Sequence, residues 1–360
     1  MNHAAATPRG FRPYLAALAA IPALAAAFAL SGCAAATPPF RTARGAVDPR
    51  SIAEETRLPV NGTRQYLLVR GRDARDPVVL FVHGGPGGSE TALMRLFHPA
   101  LEERAVMAYW DQRGAGKSYA SDLPPASMTI AQMLADLDVV VDDLRHRLGR
   151  ERVVLLAHSW GTALGTLYAH QHPDKVAAYI GTGQVASNPE DERLAYEWAL
   201  AEARRRDRAD AVAELERIGP PPYELERLVV RDRWLDEFGG YFHTPISKWG
   251  VVWHALGTPE AGVADLWRLW RGTAFSQRHL WPEFARLDLT REVPALGVPV
   301  TFILGRHDRR TSSDLAARYL DALQAPFKRL VWLERSAHNA PFEEPEAFRA
   351  AVLDAIGAGR

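Results

Sequence analysis

The chain has 360 residues in which 43 Lys and Arg are matched by 43 Asp and Glu. A formal charge of zero gives no support for nucleic acid, or for an anionic surface, as a partner. With 47% hydrophobic and 24% charged residues, the composition is that of an ordinary globular chain, long enough for one large domain or for one domain carrying an inserted subdomain.

The N-terminus lies outside that globule. Arg9 and Arg12 precede an Ala/Leu-rich run from Tyr14 to Leu30, the layout of an export signal over residues 1–32. Pro22 and the ending Leu30-Ser31-Gly32-Cys33 argue against a membrane-spanning anchor. That ending resembles the lipobox of bacterial lipoprotein signals, and Cys33 is the only cysteine in the chain. The resemblance implies lipidation at Cys33, with a free structural thiol as the plainer alternative. Several acyl chains, at ~0.8 kcal/mol per buried CH₂, would hold the protein on a bacterial membrane, facing the periplasm or the cell surface. With no second cysteine, no intrachain disulfide can form. Residues 33–50, rich in Ala, Pro, Thr and Arg, read as a tether.

From about residue 64, short β-type runs alternate with helical ones. Gln65–Val69, Val78–His83, Val106–Trp110, Val153–Ala157 and Val176–Gly181 are strand candidates. Between the third and fourth, Ile130, Met133, Leu134, Leu137, Val140, Val141, Leu144 and Leu148 place one apolar stripe on a long helix. The alternation predicts an α/β fold whose mostly parallel, doubly wound sheet is covered on both faces. The pattern breaks after Gly183. Residues 188–284 are helical and charged and hold seven of the ten tryptophans. Val300–Leu304 then returns to β type, followed by a helix over Asp314–Leu323, a strand at Arg329–Leu333 and a last helix near Glu346–Ile356. The expected organisation is a core over 51–183 and 288–360, interrupted after the sixth strand by a helical cap over 184–287. Its tryptophans are expected to pack between cap and core, one or two of them lining a pocket.

The most informative stretch is Val153-Val154-Leu155-Leu156-Ala157-His158-Ser159-Trp160-Gly161. An apolar strand stops at small-x-Ser-x-Gly and a helix begins at once, the arrangement of a nucleophile elbow that holds Ser159 strained with its Oγ exposed. A serine hydroxyl needs an adjacent base, and the base needs an orienting carboxylate. Asp308 follows the Thr301–Leu304 strand and His338 the Leu330–Leu333 strand, giving the order Ser, Asp, His. Asp314 and Asp288 are fallback acids; His158, His83 and His307 are rival bases, His83 being expected in a structural role. The oxyanion would be met by two backbone N–H groups, that of Trp160 after the serine and that of Gly85 in His83-Gly84-Gly85-Pro86-Gly87-Gly88. That glycine loop lacks the Lys-Ser/Thr of a phosphate cradle.

Taken together, His83–Gly87, Trp110-Asp111-Gln112-Arg113-Gly114-Ala115-Gly116-Lys117-Ser118 and His158–Gly161 resemble the proline iminopeptidase group of α/β-hydrolase serine peptidases. The resemblance covers roughly residues 64–183 and 298–356. It implies an aminopeptidase that releases an N-terminal residue, often proline, through an acyl-enzyme and without metal or cofactor. It maps the triad to Ser159, Asp308 and His338, and gives the Asp111–Ser118 loop a structural part. Aminopeptidase action also requires carboxylates for the substrate ammonium, usually from the cap; Glu260 and Glu224 are the candidates. Two rivals are carried forward. One keeps the triad and acts as an esterase or amidase on neutral small molecules. The other is a non-catalytic lipoprotein that binds a ligand on a hydrolase scaffold. Dehalogenase and epoxide hydrolase chemistry are disfavoured, because those relatives carry aspartate where Ser159 stands.

Overall fold

A computed structural model describes residues 37–244, 258 and 262–358. The export signal, Cys33 and Glu260 lie outside the described residues. The sheet has eight strands, β1 (Ile52–Val60), β2 (Thr63–Gly71), β3 (Val78–Val82), β4 (Val106–Trp110), β5 (Val153–His158), β6 (Val176–Thr182), β7 (Val300–Gly305) and β8 (Lys328–Leu333), ordered β1-β2-β4-β3-β5-β6-β7-β8. β2 runs antiparallel to both of its neighbours, and all other pairings are parallel. Alternate side chains feed two cores, one on each face. Val78, Leu80 and Val82 of β3 join Leu155 and Ala157 of β5 on one side, while Val79 and Phe81 join Val154 and Leu156 on the other. This is why the central strands read as continuous apolar runs.

The core helices are α1 (Thr91–Phe97), α2 (Ile130–Arg147) and α3 (Trp160–Gln171). Between β6 and β7 lie the cap helices α4 (Asn188–Arg205), α5 (Ala209–Ile218), α6 (Leu225–Glu237) and α7 (Val263–Phe284). The core then resumes with α8 (Leu289–Glu292), α9 (Ser313–Ala322), α10 (Ala340–Glu343) and α11 (Pro345–Ala358). α7 sits on the glycine loops of the core: Thr273 Oγ1 donates to the Gly87 carbonyl (3.0 Å) and Ser276 Oγ to that of Gly114 (3.1 Å). Among the described residues, no helix is long and apolar enough to cross a membrane.

Three expectations are corrected here. The tether does not run free to residue 50. From Thr37 the chain is docked on the core, with Thr37 and Phe40 buried, the Arg70 guanidinium donating to the Pro38 carbonyl (2.7 Å), and the Phe40 ring under Arg70 and Arg72. Fixed cations over an aromatic face give this short segment a seat that its Ala/Pro composition does not advertise. Second, not every cap tryptophan packs inward. Trp234 and Trp281 are buried, but Trp267 and Trp270 on α7 are 53% and 67% exposed, although the Trp267 ring still meets Tyr119 of the core edge-on at 5.9 Å. Third, β3 ends at Val82, one residue before His83.

Candidate active site

β5 enters the site and α3 leaves it within one residue. Ser159 makes that turn with φ 53° and ψ −124°, a left-handed backbone that a non-glycine residue holds only where its surroundings impose it. The surroundings do so through contact. A Cβ on Gly161 would stand 2.0 Å from the Val82 carbonyl oxygen, so only glycine lets α3 start this close to β3. One turn on, a Cβ at Gly165 would approach the Ala157 Cβ at 3.2 Å, which explains why position 157 is small.

The turn aims the half-buried Ser159 at an imidazole. His338 Nε2 lies 2.9 Å from Ser159 Oγ, and His338 Nδ1 lies 2.9 Å from Asp308 Oδ2. Asp308 is itself held by the backbone N–H groups of Arg310 (2.8 Å) and Thr311 (3.0 Å) on Oδ1 and by the Thr311 hydroxyl (2.9 Å) on Oδ2. Because the carboxylate can only accept, Nδ1 carries a proton and Nε2 is left to accept from the serine. A hydroxyl, an imidazole and a fixed carboxylate in series can move a proton off oxygen as that oxygen attacks.

His338 comes within reach because β7 and β8 end side by side. Gly305 at the end of β7 makes the approach possible: its φ is not positive, but a Cβ there would fall 2.0 Å from the Ala337 carbonyl. The fallback acids are elsewhere. Asp314 is exposed beside Arg309, and Asp288 caps α8. Among the rival bases, His307 stacks on His243 (3.5 Å between centroids), while His83 accepts the Gln112 N–H (3.1 Å) in the structural part expected of it.

Of the two expected oxyanion donors, Trp160 follows Ser159 in the chain and Gly85 follows Gly84, which packs against the serine. Gly85 leaves β3 with φ +118°, and a Cβ on its neighbour Gly84 would meet the Ser159 Cβ at 3.1 Å. The loop beneath is a tie. Asp111 accepts from Ser89 Oγ (2.5 Å) and the Lys117 N–H (2.7 Å), Gln112 accepts from Trp160 Nε1 (2.9 Å), and buried Arg113 grips Asp136 at 2.7 and 2.9 Å.

Over the triad lies a cavity of about 700 Å³. Its walls are largely apolar, with Leu228, Val229, Leu269, Trp281 and Phe284 from the cap and Phe342 from the core. The candidate Glu224 is not among the lining residues; it is exposed at the start of α6. The carboxylates in the cavity are Glu90, Asp232 and Asp236, none of them singled out by sequence reasoning. Asp232 and Asp236 stand one and two turns into α6 beyond Leu228, where a charge at i, i+4 spacing beside apolar residues is also what any amphipathic helix shows. Asp232 pairs with Arg231 (2.7 Å) and Arg310 (3.4 Å), and Arg310 also reaches Glu192 (3.0 Å), binding cap helices to the Asp308 loop. Tyr241 was missed too. Its ring lies 5.2 Å from that of His338, and burial pushes its hydroxyl up to about 12.

Glu90 lies close to Ser159. Its Oε1 is 2.7 Å from Nδ1 of buried His158, and its Oε2 accepts the Gly84 N–H at 3.1 Å. Burial opposes the charge of both groups. Their mutual attraction and hydrogen bond outweigh it, so the carboxyl lies below its usual range and the imidazole above.

Residues 77–219 match the family model described as the alpha/beta hydrolase fold. The chain is 33% identical over 304 residues to a probable aminopeptidase, YbaC, of Bacillus subtilis, covering 84% of this chain and 95% of that protein. It is 27% identical to a proline iminopeptidase of Heyndrickxia coagulans, over 77% of this chain and 89% of that one. In structure it is similar to the proline iminopeptidase of Mycobacterium smegmatis, with a TM-score of 0.63 at 20% identity over 86% and 98% of the two chains. The chain belongs to the α/β hydrolases and, among them, to the proline iminopeptidase-like group. It is a hydrolase.

Proposed function

We propose that the chain is a serine aminopeptidase of the proline iminopeptidase type, which removes an N-terminal residue through an acyl-enzyme. Ser159 Oγ attacks the first peptide carbonyl as His338 Nε2 takes its proton, and the carbonyl oxygen becomes an oxyanion facing the Gly85 and Trp160 N–H groups. His338 returns the proton to the leaving amine as the C–N bond breaks. A water, activated by the same imidazole, then hydrolyses the ester and regenerates Ser159. Asp308 fixes the imidazole tautomer. The observation that carries the proposal is the pair of 2.9 Å contacts joining Ser159, His338 and Asp308. The relatives' names favour a peptide substrate, and Asp232 and Asp236 could meet its ammonium group.

Proline-, alanine- and leucine-β-naphthylamides with free and blocked amines, run against p-nitrophenyl acetate and butyrate, test it. The expected result is turnover of free-amine amides that collapses when the amine is blocked. Preference for the esters regardless of amine favours the second reading, an esterase or amidase on neutral small molecules. One observation speaks for that reading: Asp232 already has two arginine partners beside a mainly apolar wall. If a fluorophosphonate leaves no adduct on Ser159, both readings give way to a ligand-binding protein. The proposal also places the enzyme on a bacterial membrane through Cys33, supported by the Leu30–Cys33 motif behind an apolar run. Mass spectrometry of the mature N-terminal peptide reads the acyl group directly.

A further inference from the structure

We infer that Glu90 and His158 form a positioning pair which holds three separate pieces of the site in register: the glycine loop, the nucleophile elbow and the loop of the general base. The inference rests on the serine-hydrolase reading above and adds to it a device outside the triad.

Both ring contacts of His158 need a proton between the heavy atoms. His158 Nε2 lies 3.1 Å from the main-chain carbonyl of His338. A carbonyl only accepts, so Nε2 carries a hydrogen. The other nitrogen, Nδ1, faces Glu90 Oε1 at 2.7 Å, and two lone pairs cannot meet at that distance. A proton therefore lies on that line as well, and with the carboxyl held below and the imidazole above its usual range it rests on nitrogen, giving an imidazolium against a carboxylate. The side chains are 2% and 14% exposed, so water does little to loosen the contact.

What the pair touches sets it apart from an ordinary internal ion pair. Glu90 Oε2 holds the N–H of Gly84, next to the proposed donor Gly85. His158 is the residue before Ser159. The Nε2 contact falls on the backbone of the base itself, and the two imidazole rings lie 5.3 Å apart. Residues 84 and 90 of the glycine loop, 158 at the end of β5 and 338 in the loop after β8 have no covalent reason to keep step. A single chain of charge-assisted hydrogen bonds fixes their spacing. Since the pair is neutral overall, it does so without placing a net charge beside the triad. Neither residue touches the reacting atoms, so both are positioning residues.

The test uses the full chain with Glu90→Gln, Glu90→Asp, His158→Asn and the double variant Glu90→Gln/His158→Asn. kcat and KM are measured on an aminoacyl-β-naphthylamide and on p-nitrophenyl acetate, which has no amine, alongside the rate of fluorophosphonate labelling at Ser159. Displacing a reacting group by about 1 Å can cost on the order of 100-fold in rate. The expected result is a fall in kcat of about 10- to 100-fold on both substrates, with KM nearly unmoved and labelling slowed in parallel. The double variant should lose no more than the worse single one, because the pair acts as a unit. Glu90→Asp should restore part of the loss. A rise in KM confined to the amine-bearing substrate would instead make Glu90 an amine-binding group and overturn the inference, as would unchanged kcat or multiplicative losses. Should Glu90→Gln not fold, His158→Asn carries the comparison alone, since it keeps a donor toward Glu90 and loses only the reach to the His338 carbonyl. Failure of the underlying reading shows differently, as absence of labelling in the unaltered protein.

Discussion

A serine hydroxyl is a weak nucleophile until its proton has somewhere to go, and the route proposed for it spans two contacts of 2.9 Å. Ser159→Ala should abolish turnover with the melting temperature unchanged, measured by kcat and thermal denaturation. His338→Ala should cost a comparable several orders of magnitude, since members of such a unit fail together. The Glu90–His158 pair makes a prediction about pH. Glu90 titrates below its ordinary value, so its contribution to stability is complete above the unfolded pKa of 4.5 and is lost as pH falls through the lower folded value. His158 titrates above its ordinary value, so its contribution is complete below 6.5 and is lost as pH rises through the higher folded value. The pair should therefore stabilise most between those two values. The charged and titratable groups facing it are Asp308 and His338 from the β7 and β8 loops and His83 from the glycine loop. Melting temperature against pH should flatten on both limbs in Glu90→Gln and His158→Asn, and an unaltered profile would count against an ionic pair.

Whole elements stand where they do because of a few close approaches. Gly161→Ala would drive a methyl into the Val82 carbonyl, so α3 must retreat from β3. The loss should reach the upper end of the about 1–3 kcal/mol typical of overpacking, read by urea denaturation, with activity falling further than stability. Arg113→Met would leave Asp136, fully buried, without its cation; removing one partner of a buried pair costs about 3–5 kcal/mol. A loss of unfolding free energy well below that, read by urea denaturation, would mean that Gln65, Gln132 and Asn61 suffice to satisfy the carboxylate.

Elements of this kind also show how far a sequence can be read. The buried parallel strands and the elbow announce themselves, because apolar runs and glycine spacing are local properties. β1 does not: Ile52-Ala-Glu-Glu-Thr-Arg-Leu-Pro-Val60 is a half-buried strand at the sheet edge, and it carries both charges and a proline. The triad was legible because each member follows a recognisable strand. Glu90 was not, since it meets His158 across 68 residues of chain and no motif ties the two positions together. Asp232 and Asp236 were likewise indistinguishable from solvated helix charges until the fold turned α6 toward the cavity.

In the molecule as a whole, cap and core meet over charges as much as over apolar side chains. Arg310 joins Glu192 and Asp232 of the cap to the loop that carries Asp308, so the roof of the cavity and the acid of the triad share one support. The docked segment beginning at Thr37 has a longer reach. It rests on Arg70, which pairs with Met107 near the start of β4, and on Arg72 beside Glu102, at the end of the sheet where the parallel strands begin. Ser159, Asp308 and His338 all follow the opposite ends of their strands, roughly 20 Å away along a six-residue strand. If Cys33 is acylated, at most about 14 Å of extended chain separates it from Thr37. So short a leash would stand the enzyme on its base with its mouth turned outward, towards solutes arriving from the water and away from lipids in the bilayer beneath.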